Sequence, residues 1–483
     1  MTVGILLFFP LLAALALLFT KSHVVKNAAL VASLIELALG VIMLIKFVPD
    51  ASYQMVTDFD WVAKTGIHFK AGIDGISLIP VLLTLVLVPL IVVNSDKQKH
   101  SSAPAFYAFV LLMQSGLLMA FTAIDGFLFY VGWEMTLIPI YFINAIWGNE
   151  KRISVTLKFF IYTFTGSLFM LLAIIYLHLQ APDHSYDLSV FYNLNLSANQ
   201  QQWMLCCFLL AFAVRMPLLP LQGWLSDWYA EAPTSSVLLL SGLMLQTGIY
   251  GAIRWMIPIV PTGFMAWQKM LLVLAVISTV YAAMMAFRQT DNKRLLAYMA
   301  MLFTSLMATG VLVWKEDVLQ DTLVLMFNYG VAITGLTIII SIINQQLKSN
   351  NLNHLGIAGK ALPSFIIVFL IIGVGTIALP LTSRYMAEFS SSHQYNVWLA
   401  LMASFALVAS AVHLFRLYQI AGGKTSLLLT IFDKITMSEK LTLGIISVLI
   451  VAIGVFPQLL VHLSHAAINR LITLVSLKVG TTI

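Results

Sequence analysis

The sequence predicts an all-α polytopic membrane protein of about fourteen transmembrane helices, on three observations. Of its 483 residues, 60% are apolar and only 10% charged, where a soluble domain carries about 25% charged residues. Mean hydropathy is +0.94. The apolar residues also fall into successive runs of about 20 residues, the length that crosses the hydrocarbon core of a bilayer as a helix. The runs cover nearly the whole chain, so no stretch is long and polar enough to hold a separate catalytic domain.

The expected spans are 2–19, 26–48, 74–94, 105–123, 125–147, 157–180, 201–221, 233–257, 267–288, 294–313, 319–345, 362–389, 397–420 and 440–461. The first has no basic stretch before it and no small-residue cleavage site after it, so it is expected to be a retained helix and not a signal peptide. The seventh contains Ala213-Val-Arg-Met-Pro-Leu-Leu-Pro220, whose two prolines remove backbone donors and break the helix. The twelfth contains Gly373-Val-Gly-Thr-Ile-Ala-Leu-Pro380. Breaks five spans apart suggest two inverted repeats, 105–257 and 258–420, each with an interrupted helix of the kind that lines a polar cavity. Residues 1–104 supply three helices before the repeats, and 421–483 a fourteenth helix and a tail.

The net charge of +6 and pI of 9.1 report orientation, not a nucleic-acid partner, because the basic residues sit in short loops beside lipid. With the N-terminus outside, 16 Lys and Arg fall on the cytoplasmic side and 8 opposite, leaving Arg215 and Arg384 within the membrane. That asymmetry predicts an even number of helices with both termini outside. Cys206 and Cys207 are adjacent in an apolar run and provide neither a disulfide framework nor an iron–sulfur ligand set. No phosphate-binding glycine loop or dinucleotide fingerprint is present, and no His, Cys, Asp and Glu cluster has metal spacing. No cofactor is expected in this chain, and any redox chemistry is expected in a partner.

Ionisable residues inside the membrane are expensive, so they are the candidate sites. Glu134 lies near the middle of the fifth span, and Arg215, just before the first break, is its expected counter-ion. That pair has either a functional role or a purely structural one in fixing helix registry. Glu388 follows the second break, with Arg384 four residues earlier on the same face if helix resumes after Pro380. Glu36 in the second span faces a neighbouring subunit or lies near an interface. Lys158, at a helix start, is expected to snorkel to the headgroups.

Several stretches carry a resemblance: Gly72-Ile-Asp-Gly-Ile-Ser-Leu78, Phe127-Leu-Phe-Tyr-Val-Gly-Trp-Glu-Met-Thr-Leu-Ile-Pro139, Lys158-Phe-Phe-Ile-Tyr-Thr163, Arg215-Met-Pro217, Gly223-Trp-Leu225, Glu231-Ala-Pro-Thr234, Gln289-Thr-Asp-Asn-Lys-Arg-Leu295 and Phe456-Pro-Gln458. Together these resemble the antiporter-like membrane subunits of NADH-quinone oxidoreductase, respiratory complex I, and the string from Lys158 is most similar to the M (mitochondrial chain 4) branch. The resemblance implies fourteen helices in two inverted repeats and a membrane-centre chain of polar residues that moves protons. It also implies a bacterial inner membrane location, other membrane-arm subunits as partners, especially L and N, and NADH, FMN, iron–sulfur clusters and quinone held elsewhere in the complex. By motif, Glu134 and Glu388 match the glutamates of the fifth and twelfth helices.

The chain departs from that pattern at the proton-carrying positions. Arg215 stands where the family has Lys, and Gln246 where the eighth helix has a central Lys. Phe303 and Tyr329 stand at two histidines of the second repeat, and Gln222 replaces a histidine in the loop after the break. A buried lysine loses its proton near neutrality when burial depresses its pKa, whereas deprotonating arginine at pH 7 costs about 8 kcal/mol. Arg215 is therefore expected to be a fixed charge, Gln246 a hydrogen-bonding group without an exchangeable proton, and Tyr329 a relay only through its hydroxyl. Three readings follow: a proton-translocating subunit, a structural spacer with a degenerate relay, and a subunit of a multisubunit cation/proton antiporter.

Overall fold

Helices dominate because lipid offers no partners to backbone N–H and C=O groups, which must pair within their own segment. The computed structural model describes residues 3–62, 66–95, 102–347, 368, 371–373 and 435–480. It begins with α1 (Val3–Leu18) and α2 (Val25–Lys46), followed by a hairpin of β1 (Gln54–Val62) and β2 (Ile67–Ile73). Then come α3 (Gly75–Asn94), α4 (Ala103–Thr122), α5 (Gly126–Trp147), α6 (Arg152–Gln180), the short α7 (Leu188–Asn193), α8 (Ala198–Arg215) and the short α9 (Leu225–Glu231). The next span runs from α10 (Thr234–Leu239) to α11 (Gln246–Gly251), with wide π turns at Leu240–Met244 and Ala252–Met256. Beyond it lie α12 (Pro261–Arg288), α13 (Asn292–Val313), α14 (Glu316–Leu347), α15 (Met437–Val455) and α16 (Gln458–Val479). Eleven helices are long and apolar enough to cross a membrane among the described residues, and α1 is a shorter apolar helix.

Sequence signals place most boundaries. Asp74, Asp125 and Asp291 cap α3, α5 and α13 by accepting backbone N–H groups of the first turn, which satisfies donors that helix geometry orphans. The break expected in the seventh span is present: α8 stops at Arg215, and the chain turns through the two prolines before α9. Apart from residues 368 and 371–373, the twelfth and thirteenth spans, with Arg384 and Glu388, lie outside the described residues.

Two features differ from the sequence reading. Between the second and third expected spans, residues 54–62 and 67–73 pair as antiparallel strands. Their edge continues through the carbonyl of Lys70, which accepts Ile124 N at 2.9 Å. The second feature is α16, which occupies the expected tail. It is long enough to cross, yet its contacts all lie at the hairpin end of the bundle. Leu463 packs its carbonyl against Gly75 at the start of α3, His465 pairs with Glu316 at the start of α14 at 3.0 Å, and Arg470 donates to Ala51 O at 2.7 Å. A crossing helix would have descended about 10 Å over those seven residues. α16 instead lies flat across one end, its buried stripe of Leu460, Ser464, Ala467, Leu471 and Val475 facing the bundle. Hydropathy does not reveal this, because such a helix is as apolar on one face as a spanning one.

The span from Thr234 to Met256 and α14 are wholly surrounded, and α13 nearly so, whereas α2, α6 and α12 leave one side open. Exposed aliphatic side chains line those open sides, including Leu34, Ile35, Ile161, Leu172, Val273 and Ile277, as a lipid-facing surface requires. Glycine sets the closest approach. A Cβ on Gly132 of α5 would lie 2.6 Å from Ala120 N of α4, and one on Gly116 of α4 would lie 2.8 Å from Met135 Cβ. The two helices meet backbone to backbone, which orients the Trp133–Thr136 turn. Gly132→Val is expected to lower stability by about 1–3 kcal/mol through overpacking, while Gly444→Ala, whose Cβ would meet nothing within 4 Å, serves as a silent control. Thermal melting of the solubilised protein checks this, and equal midpoints for the two variants would contradict the packing argument.

Candidate functional site

The site is built around Arg215, the last residue of α8, which is 1% exposed. Its Nη1 donates to Thr136 Oγ1 at 2.9 Å and to Thr247 Oγ1 at 3.4 Å. Its Nη2 donates to the Trp133 carbonyl at 3.1 Å, and the guanidinium carbon stands 4.2 Å from the centroid of the Trp133 ring. Trp133 and Thr136 are three residues apart, so both lie on the same face of α5. Gly248 lets α11 come in from the other side, since a Cβ there would be 3.1 Å from Arg215 Cβ. An aromatic face, two hydroxyls and a carbonyl thus replace the water that a buried cation has lost.

This arrangement corrects the expected Glu134–Arg215 pair. No described carboxylate lies within 4.0 Å of the Arg215 guanidinium, and Glu134 Oε1 is buried without a hydrogen-bond partner. One residue along a helix rotates the side chain by about 100°, which turns Glu134 away from the face of Trp133 and towards Ser167 of α6. The two charges still feel each other, but the cation is held by neutral groups.

From Arg215 a row of buried polar side chains continues into the second half of the chain. Thr247 is followed by Gln246, whose Nε2 donates to Met326 O of α14 at 3.3 Å while its Oε1 has no partner. Tyr329, one turn along α14, is 2% exposed with its hydroxyl unpartnered, and its ring lies 5.3 Å from that of Phe303. Tyr229 OH and Ser236 Oγ are likewise buried and unpartnered. The two π turns flank α11, so Gln246 and Thr247 project from a helix already loosened from regular geometry, as such turns often do at functional sites. Lone buried polar atoms cost free energy, so several in one region form a place that bound water would stabilise.

Charges at the two ends complete the picture. Lys158 does not merely snorkel: its Nζ pairs with Asp227 Oδ2 at 3.0 Å, and Arg294 Nη2 takes Asp227 Oδ1 at 3.2 Å. Asp227 on α9 therefore links α6 to α13. Nearby, a cavity of about 510 Å3 is lined by Asn149, Thr234, Lys293, Ser341 and Asn344. At the hairpin end, Arg254 and Asp74 form an ion pair in which both side chains are 4% exposed. Lys70 pairs there with Asp187, and burial pushes the Asp125 carboxyl up to about 6. The sequence reading missed Asp227 and the Asp74–Arg254 pair, having counted Arg254 among outside loop charges. The one available signal was an acidic residue just before an apolar run, which marks a cap and not a charge partner.

Comparison with known proteins gives the family. The family described as NADH:quinone oxidoreductase/Mrp antiporter, TM, matches residues 123–410, more than half of the chain. The chain belongs to this family. NADH-quinone oxidoreductase subunit M of Rickettsia typhi is 30% identical over 97% of this chain and 98% of its own length. NADH-ubiquinone oxidoreductase chain 4 of Arabidopsis thaliana is 28% identical over 96% and 95%. In fold, the chain is similar to one of respiratory complex I from Thermus thermophilus, with a TM-score of 0.88, 24% identity and 98% and 100% coverage. A chain of the Mrp complex from Dietzia sp. gives a TM-score of 0.81 at 16% identity, covering 99% of this chain and 56% of that one.

Within an antiporter-family bundle the neutral cage around Arg215 has a measurable consequence. Thr136→Val keeps the shape and removes one acceptor from a buried cation, and is expected to destabilise the protein by about 1–3 kcal/mol. Thr304→Val, whose hydroxyl only bonds back to Ala300 and Met301 of its own helix, is expected to cost less. Melting temperatures of the two variants in the same detergent compare them directly.

Proposed function

We propose that this chain is a membrane-arm subunit of M type in a proton-translocating NADH-quinone oxidoreductase of the bacterial inner membrane. The observation that carries the reading is its likeness, across nearly the full length of both chains, to relatives named as subunit M and chain 4. NADH oxidation and quinone reduction belong to partner subunits, and antiporter-like L and N subunits are the expected neighbours. The spacer and cation/proton antiporter readings are not favoured.

Within that role each group has a task set by its chemistry. Arg215 is a permanent positive charge that holds the local field and anchors α5 to α8 and α11; it does not carry the proton. Gln246, Thr247, Tyr229 and Tyr329 orient water, and proton movement passes along hydroxyls and water where relatives use lysine and histidine. The polar cavity with Lys293 and Asn344 connects the inner end to Thr234, at the start of the span that presents Gln246. The ring of Phe303 against Tyr329 interrupts hydration on that side, so the row depends on the Tyr329 hydroxyl. Glu388, matched by motif to the twelfth-helix glutamate and beside Arg384, is the expected far end of the row.

Gln246→Leu is expected to preserve assembly and NADH oxidation while lowering the protons moved per NADH, because the leucine has no atom to hold water. Sealed membrane vesicles with a pH-sensitive dye and parallel NADH absorbance measure both rates. An unchanged proton ratio in Gln246→Leu and Tyr329→Phe would remove this row from the path.

A further inference from the structure

Glu36 sits outside the row described above, on a helix that precedes both of the repeats expected from the sequence. It is placed 11 residues from Val25 and 10 from Lys46, about 15 Å from either end of α2. Its side chain does not face a neighbouring subunit or lipid, as the sequence allowed. It is fully buried, and neither carboxyl oxygen has a hydrogen-bond partner. Ala29, Ser33, Glu36, Gly40 and Met43 form the buried stripe of α2 at helical spacing, so the carboxyl is at the middle of the packed seam. Gly40, one turn away, brings α3 close, since a Cβ there would meet Leu85 Cδ1 at 2.3 Å.

The helices packed on α2 are α1, α3 and α4, and their sequences contain no Lys, Arg, His, Asp or Glu. Tyr107 is their one phenol, and it is hydrogen-bonded to Ser95 at 3.0 Å. The cations of α2 itself are Lys26 and Lys46, at its two ends. Among the described residues no counter-ion is within reach, and the hydroxyl of Ser33 is committed to the carbonyl of Leu30 at 2.9 Å. An ionised carboxylate would be a bare charge in an apolar seam, which the group avoids by holding its proton. On α4, Gln114 is also buried with both amide atoms unpartnered, a second polar group in the same helix cluster that no side chain satisfies.

We propose that Glu36 is a proton-binding site, a neutral carboxylic acid at pH 7, in the N-terminal three-helix segment and separate from the Arg215–Tyr329 row. Its ligand is the proton: among the described residues no His, Cys, Asp or Glu joins Glu36 as a second metal ligand. The acid carries no counter-charge, so gaining or losing its proton changes the net charge of that seam.

The test is infrared spectroscopy of the assembled membrane complex, native against Glu36→Gln, with exchange into D2O. The native minus variant spectrum is expected to show the loss of one deuterium-sensitive C=O band of a protonated carboxylic acid at neutral pH, with native levels of assembly, since an amide is isosteric with the neutral acid. A difference confined to the ionised carboxylate region would overturn the proposal. If Glu36→Gln does not accumulate, Glu36→Asp decides: a displaced acid band supports the assignment, and a carboxylate-region change alone overturns it.

Discussion

Inside a hydrocarbon slab every polar group must find its partner within the protein, and this structure is organised by how it meets that demand. Backbone groups meet it by forming helices whose ends are capped. Arg215 is the hardest case, a permanent cation near the middle of the bundle, and its solution ties three helices together. The carbonyl and ring of Trp133, the hydroxyl of Thr136 and the hydroxyl of Thr247 come from α5 and α11, and each must be in place for the charge to be tolerated. Gly132, Gly116 and Gly248 matter because they let those helices approach closely enough to supply these groups.

A cation solvated by neutral dipoles differs in kind from one held by a carboxylate. A direct pair would fix two charges against each other, and moving either would break it at high cost. Here Glu134 makes no direct contact with Arg215, and the cation is held by neutral groups. In the function proposed above, the chain separates two tasks that lysine performs together in the family pattern, holding charge and exchanging protons. The first is assigned to Arg215, and the second to the row of buried hydroxyl and amide groups with unpartnered atoms.

The hairpin end shows the same economy with different parts. The β-hairpin, the flat helix α16 and the buried Asp74–Arg254 pair cover one end of the bundle, whereas the opposite end keeps a polar cavity beside Lys293. Among the described residues, packing and ion pairing cover one end, and a polar cavity of about 510 Å3 lies at the other. That asymmetry suits a protein that conducts protons in steps without offering a continuous pore.

How much of this was legible in the sequence depends on the range of the interaction. Span positions, caps and the break after Arg215 follow from residues within one or two helical turns, because backbone satisfaction and proline geometry are local. The membrane class and the presence of costly groups at positions 36, 134 and 215 were equally plain. Which partner each buried group chose was not, since it depends on rotation about a helix axis and on contacts between residues as far apart as Trp133 and Arg215. Glu134 misses Arg215 by one position on α5, Lys158 finds Asp227 across 69 residues, and Glu36 faces a seam instead of a neighbour. α16 lies flat because residues from Ala51 to Glu316 hold it there. Local chemistry determined where the chain crosses the membrane, and only tertiary packing decided which charges meet, because facing is a property of pairs of helices and not of either sequence alone.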